Sequence, residues 1–228
     1  MKIGILQTGH LPDTLLDSYP EYPAMFERLL DGHGFSFDTY PVVDMVLPGS
    51  IHAADGWLIT GSRHGAYEDH AWIAPLEQFI RDAYGADVPV VGICFGHQIM
   101  AQALGGRVEK YDGGWTVGRQ PYDFGALGTV HANAWHQDQV VAKPADAEVV
   151  ATGPHSPFAG LVYDRHAFSL QPHPEFDADF LGALIDFRGQ GVVPPERLQQ
   201  ARDGLDRPVD KARLAEMIAR FFKERRYA

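Results

Sequence analysis

The chain has one cysteine, Cys94, in 228 residues. A single thiol closes no intrachain disulfide, which excludes an oxidised, cross-linked scaffold and makes a reducing, cytoplasmic setting the expectation. Positive charge is also short: 19 Lys and Arg stand against 30 Asp and Glu, a formal net charge of −11. No Lys/Arg cluster precedes the C-terminal tail, which argues against nucleic acid as a partner. No apolar run reaches the roughly 20 residues that a bilayer-spanning helix needs, so no membrane partner is expected either. Met1-Lys2-Ile3-Gly4-Ile5-Leu6 enters a strand directly, without a signal-peptide cleavage pattern. No Gly-Lys-Ser/Thr follows Gly105-Gly106, as a phosphate loop would require. The 11 histidines contain no His-x-x-x-His or Cys/His zinc spacing, so no metal is expected. Repeats, low-complexity tracts and linkers are missing, so residues 1–228 are expected to form one domain, with C-terminal helices over 194–228 packed on it.

What remains is an ordinary globular composition, 45% hydrophobic and 21% charged. In the first half, apolar strands at Lys2–Gln7, 55–60 and 88–93, and a strand at 35–40 read from alternating apolar and polar residues, are interspersed with helical spacing over 22–30 and 72–84. That alternation of strand and helix predicts an α/β fold with a parallel sheet covered on both faces. After Gly106 the texture changes. Short strands at 108–111, 115–117, 129–134, 148–152, 160–163 and Ala167–Leu170 are separated by Gly, Pro and Asp, which predicts added antiparallel sheet. Helices are expected over 177–188, 194–204 and 210–226. The last carries Leu214, Met217, Ile218, Phe221 and Phe222 on one face, a stripe that suits either core docking or a partner surface.

The cysteine lies where the strand at 88–93 meets a helix-like segment closed by Gly105-Gly106. Gly92-Ile93-Cys94-Phe95-Gly96 has the form Gly-x-nucleophile-x-Gly, a strand-to-helix elbow whose small residues let strand and helix cross closely. A thiol there sits at a helix N-terminus, whose partial positive charge favours thiolate. Alone, the same pattern also suits a small buried hydrophobe. A second stretch decides between them. Gln171-Pro172-His173-Pro174-Glu175 offers a base and a carboxylate two positions apart, on a segment that its prolines keep extended. Alternation then projects His173 and Glu175 to one side, so the carboxylate can hold the imidazole.

These two motifs resemble the signatures of class I, triad-type glutamine amidotransferase domains, and the similarity runs from the first strand to the His-Pro-Glu segment. The resemblance implies a flavodoxin-like, mostly parallel sheet with flanking helices and an added antiparallel sheet. It implies Cys94, His173 and Glu175 as a catalytic triad that hydrolyses the γ-amide of glutamine through a γ-glutamyl thioester, with no cofactor; the alternatives are a free-standing γ-glutamyl peptide or amine hydrolase and a non-catalytic binding module. The loop at 61–69, after a strand's C-terminal end, would supply an oxyanion amide from Gly61 or Ser62, and Phe95 the other. The family usually has Gly-Gly there; Gly61-Ser62-Arg63 looks more like stand-alone forms, similar to GMP-synthase-like amidotransferases and γ-glutamyl peptidases. Gln98, Trp135, His136 and Asp138 are candidate substrate contacts by the same resemblance, the last three on a loop. Trp135-His136-Gln137-Asp138 equally suits a turn with a packed Trp and an Asx bond. The implied partners are glutamine or another γ-glutamyl small molecule and, for ammonia delivery, a separate synthetase subunit.

Overall fold

A computed structural model describes residues 1–228. Eleven strands run in chain order: β1 (Lys2–Gln7), β2 (Ser36–Pro41), β3 (Gly56–Ile59), β4 (Val90–Ile93), β5 (Arg107–Lys110), β6 (Thr116–Asp123), β7 (Thr129–His136), β8 (Asp138–Ala142), β9 (Glu148–Gly153), β10 (Ser156–Tyr163) and β11 (Ala167–Leu170). Nine form one sheet in the order β2-β1-β3-β4-β11-β10-β9-β6-β7, and β5 pairs with β8 in a small separate sheet. The strands from β2 to β11 run parallel, as the alternation of strand and helix predicts. The strands beyond β11 are antiparallel, which accounts for the change of texture after Gly106. Every residue of β3 and β4 is buried, because helices cover both faces of the parallel part. Strand β4 lies between β3 and β11, with Gly92 in register with Ile59 and Ser169. Its C-terminal end is therefore walled by two neighbours at the point where Cys94 follows.

Seven helices complete the chain: α1 (Asp13–Leu16), α2 (Tyr22–Leu29), α3 (Ile73–Gly85), α4 (Phe95–Ala103), α5 (Ala178–Phe187), α6 (Pro195–Arg202) and α7 (Lys211–Glu224). The stripe on α7 is core. Leu214, Met217, Ile218, Phe221 and Phe222 are all buried in one cluster with Ile3, Leu58, Val91 and Phe168 of the sheet. Burying each such side chain is worth about 1.5–3 kcal/mol, so the stripe fixes α7 to the sheet and leaves no face for a partner.

Three local expectations change. The turn α1 forms inside a stretch that sequence spacing leaves as loop. Strand β6 runs on to Asp123 rather than ending at Val117, because all eight of its residues pair with β7. Trp135 and His136 lie in β7, with His136 opposite Thr116, and Asp138 begins β8, so this segment is strand rather than loop.

Candidate active site

Cys94 has φ 54° and ψ −102°, a backbone that only a tight junction forces on a residue with a side chain. Both walls of the sheet hold it there. The Cys94 amide donates to the Leu170 carbonyl at 2.8 Å, and the Gly96 amide donates to the Thr60 carbonyl at 3.2 Å. The two glycines of the elbow are steric necessities. A Cβ on Gly92 would lie 2.4 Å from the Gly96 carbonyl oxygen, and one on Gly96 would lie 2.3 Å from that of Ile59. Cys94 itself is the N-cap of α4, so the partial charge of the helix N-terminus acts on its sulfur.

His173 reaches the same point from the far side of the chain. Its amide donates to the Asn133 carbonyl at 2.8 Å, and the Asn133 side chain donates to the Phe176 carbonyl at 3.0 Å. The Phe176 ring stacks on the imidazole at 3.9 Å and 5°. Asp177 caps α5 by accepting from the Phe180 amide at 2.9 Å, which anchors the segment. The Glu175 Oε1 lies 2.7 Å from His173 Nδ1. One detail differs from the sequence expectation. His173 alone makes an extended bridge, and Pro174-Glu175 is a turn, so the turn rather than strand alternation brings carboxylate and ring together. Burial disfavours charge on His173, but the adjacent Cys94 and Glu175 outweigh it and hold the imidazole well above the usual histidine range. The two oxygens of Glu175 are not equivalent: the second is buried without a partner.

Gly61 packs against both groups, since a Cβ there would lie 2.9 Å from His173 Cε1 and 3.8 Å from Cys94 Cβ. The Ser62 amide makes no backbone hydrogen bond, and Phe95, as the first residue of α4, has no intrahelical acceptor for its own. A cleft of about 190 Å³ opens over Cys94 and His173. Gly61, Ser62, Gln98, Trp135, His136 and Asp138 all line it; Phe95, expected to give an amide, is 1% exposed and does not.

The polar floor of the cleft is largely committed to itself. The Gln98 side-chain amide donates to the Asp138 carbonyl at 2.8 Å and to Gln171 Oε1 at 3.2 Å. His136 Nδ1 lies 3.2 Å from the same Asp138 carbonyl, which fixes its proton on Nδ1 and leaves Nε2, buried and unpartnered, as an acceptor. Burial, reinforced by His173, pushes His136 down to about 3. Burial raises the Asp138 carboxyl.

Sequence motifs missed several lining residues. Tyr22, Phe176 and Arg188 come from α2, α5 and their flanks, and Lys110 and Trp115 from the antiparallel half. No local pattern marks them, because only the tertiary fold brings them to the cleft. His64, Glu68 and His70, on the loop that carries Ser62, bring three metal-ligating atoms within 4.8 Å of one another.

The fold is that of a class-I glutamine amidotransferase. The model of that family, "Glutamine amidotransferase class-I", matches residues 16–187, and the chain belongs to it. Among curated relatives, γ-glutamyl peptidase 4 of Arabidopsis thaliana is 31% identical over 185 residues, covering 74% of this chain and 73% of that one. The glutamine-hydrolysing GMP synthase component of Halobacterium salinarum, itself one subunit of that synthase, is 30% identical over 174 residues, covering 71% and 87%. A solved glutamine amidotransferase from Methylobacillus flagellatus shares the fold, with a TM-score of 0.76 at 21% identity over 98% of this chain and 92% of that one.

Proposed function

We propose that the protein hydrolyses γ-glutamyl amide bonds with Cys94 as nucleophile, His173 as acid and base, and Glu175 as the group that orients His173. The observation carrying this reading is the 2.7 Å contact between Glu175 and His173 Nδ1, which leaves the ring's other nitrogen, Nε2, for the thiol of a strained elbow. The Cys94 thiolate attacks the γ-carbonyl, and the amides of Ser62 (or Gly61) and Phe95 stabilise the oxyanion. His173 protonates the leaving amine, giving a γ-glutamyl thioester. A water deprotonated by His173 then releases glutamate and restores the thiol. His136 Nε2 is suited to accept a hydrogen bond from the substrate's ammonium group, with Gln98 and Asp138 holding that ring's surroundings in place. The chemistry calls for no cofactor. The free buried thiol suits a reducing cytoplasm, and no helix is long and apolar enough to cross a membrane.

Two leaving groups fit this cycle. With glutamine it is ammonia, destined for a separate synthetase partner of the kind the Halobacterium relative's name implies. With a γ-glutamyl peptide it is an amine, and the protein works alone. The second is favoured by one observation: Arg63, Lys110 and Arg188 line the cleft and none of their side chains makes an ion pair or hydrogen bond within the chain. Three uncommitted cations suit a substrate that carries carboxylates beyond the γ-glutamyl unit.

Glutamate release from glutamine and from a panel of γ-glutamyl dipeptides tests both. The wild type is expected to turn over at least one of them, and Cys94→Ala to lose roughly 10³-fold or more of that rate with an unchanged circular dichroism spectrum. Wild-type turnover by Cys94→Ala refutes the nucleophile. A preference for glutamine over every peptide refutes the second reading.

A further inference from the structure

We propose that His64, Glu68 and His70 form a binding site for a divalent transition-metal ion of the Zn²⁺ class at the rim of the cleft. His64 Nδ1 lies 3.4 Å from Glu68 Oε2, and His70 Nε2 lies 2.7 Å from the same oxygen. A tetrahedral ion with bonds of about 2.0–2.1 Å needs its donors about 3.3 Å apart. The first pair already stands at that span, the second needs His70 to move by roughly half an ångström, and all three donors lie within 4.8 Å of one another, so rotation of the two rings closes the set on one ion. The spacing rule that excludes a helical zinc motif does not reach these residues, because their donors converge through loop turns.

The loop holds them ready. The Glu68 amide donates to the Gly65 carbonyl at 3.0 Å, the His70 amide to the Glu68 carbonyl at 3.1 Å, and the Ile73 amide to the His70 carbonyl at 3.0 Å. Trp72, 4% exposed, is stacked parallel to the His70 ring at 5.9 Å and 8°, and Trp72 in turn packs on Phe95 beside the elbow. Two imidazoles and one carboxylate are a borderline donor set, suited to Zn²⁺, Co²⁺ or Ni²⁺ rather than to Mg²⁺ or Ca²⁺.

Three protein donors leave a coordination position free. His64 and Glu68 line the same cleft as Cys94, so that position is placed to take water or a carboxylate of the substrate. An ion there also stiffens the loop that carries Ser62. This site stands on its own residues and does not depend on the mechanism proposed for Cys94.

The experiment is titration of chelator-treated full chain with Co²⁺ and Zn²⁺, by visible absorption and by calorimetry. It uses the wild type and, to remove the competing thiol, Cys94→Ala. One equivalent is expected to bind in both backgrounds at micromolar or lower Kd. The Co²⁺ spectrum is expected to show visible bands of a nitrogen/oxygen site without thiolate charge transfer. In the Cys94→Ala background, His70→Ala and, separately, Glu68→Gln are expected to weaken binding more than tenfold while the metal-free melting temperature stays that of the parent. Failure to bind below millimolar Co²⁺ or Zn²⁺ overturns the proposal. So does binding that Cys94→Ala abolishes, or binding that neither rim variant weakens. If one rim variant unfolds, the other decides.

Discussion

The wall of the cleft that carries Cys94 and His173 and the wall that carries Arg63 and Glu68 line the same space but are built on different terms. The first is drawn from strand ends and a helix start, with each polar group nearly enclosed: Cys94, His173 and Glu175 are 5%, 4% and 3% exposed. Its backbone is fixed by bonds to the strands on either side, and its glycines touch backbone atoms. The second joins a loop whose Arg63, Tyr67, Glu68 and Asp69 are exposed, and whose His64, Glu68 and His70 contact one another, to the less enclosed Lys110 and Arg188. Enclosure raises the value of each charge and fixes geometry, which a reacting centre needs. Exposure leaves charges free to meet a ligand, which a recognition surface needs. On the proposed mechanism, the same cleft separates chemistry from selectivity by how deeply each wall is buried.

The largest test of that contrast, beyond loss of the thiol, is Glu175→Gln. On the enclosed wall, the amide keeps the shape but loses the charge that holds the His173 proton on Nδ1. Turnover is expected to fall about 10²-fold, less than for Cys94→Ala. The measurement is kcat at saturating substrate. A loss equal to that of Cys94→Ala would mean that Glu175 does more than orient the ring. An unchanged rate would mean that the enclosed wall owes nothing to its carboxylate.

The enclosed wall is also the one legible in the sequence. Gly92-Ile93-Cys94-Phe95-Gly96 announces itself because a Cβ on either flanking residue would lie 2.3–2.4 Å from a backbone carbonyl oxygen, so both must be glycine. Sterics of that kind leave a local pattern. Strands β1, β3 and β4 are legible for a similar reason, since strands buried on both faces must be continuously apolar, whereas the edge strand β2, with no buried residue, shows only as an alternation of apolar and polar residues. The open wall leaves no such trace. Arg188 follows α5 with nothing in its neighbourhood to mark it, and Lys110 sits at the end of a four-residue strand. His64 and His70 miss the helical metal spacing because loop turns, not helix periodicity, bring them together. Strand β8 is masked in the sequence by the single residue, Gln137, that joins it to β7.

A second test compares histidines. On the enclosed side, burial pushes both His97 and His136 down to about 3; a carbonyl bond from Phe158 opposes it for His97, and His173 adds to it for His136. In the unfolded chain both rings protonate near the ordinary value of about 6.5. The unfolded state then binds more protons, so stability falls as the pH drops from about 6.5 towards 3, by up to about 1.4 kcal/mol per pH unit for each ring. His173 acts in the opposite sense. Its raised value favours the folded chain below about 6.5, and that contribution is lost as the pH rises through the folded value. Urea unfolding from pH 7 to pH 4 is expected to show this acid slope, and His136→Gln to flatten it by up to one proton. The same slope in both proteins would mean that the enclosed ring titrates normally.

The smallest effect is expected on the recognition side, from Arg188→Gln. Arg188 is half-buried and lines the cleft together with Tyr22 and Leu184, its side chain without an acceptor of its own. A substrate carboxylate meeting it forms a charge-assisted hydrogen bond worth about 1.5–3 kcal/mol, much of it already spent on desolvation at a half-open site. The expected result is a rise in KM of roughly tenfold for a γ-glutamyl dipeptide with a free C-terminal carboxylate, with kcat little changed. Amidating that carboxylate should remove the difference between variant and wild type, because the partner is then missing in both. If kcat falls instead and amidation makes no difference, Arg188 belongs with the enclosed wall, and the division of the cleft into a reacting side and a recognising side fails at that residue.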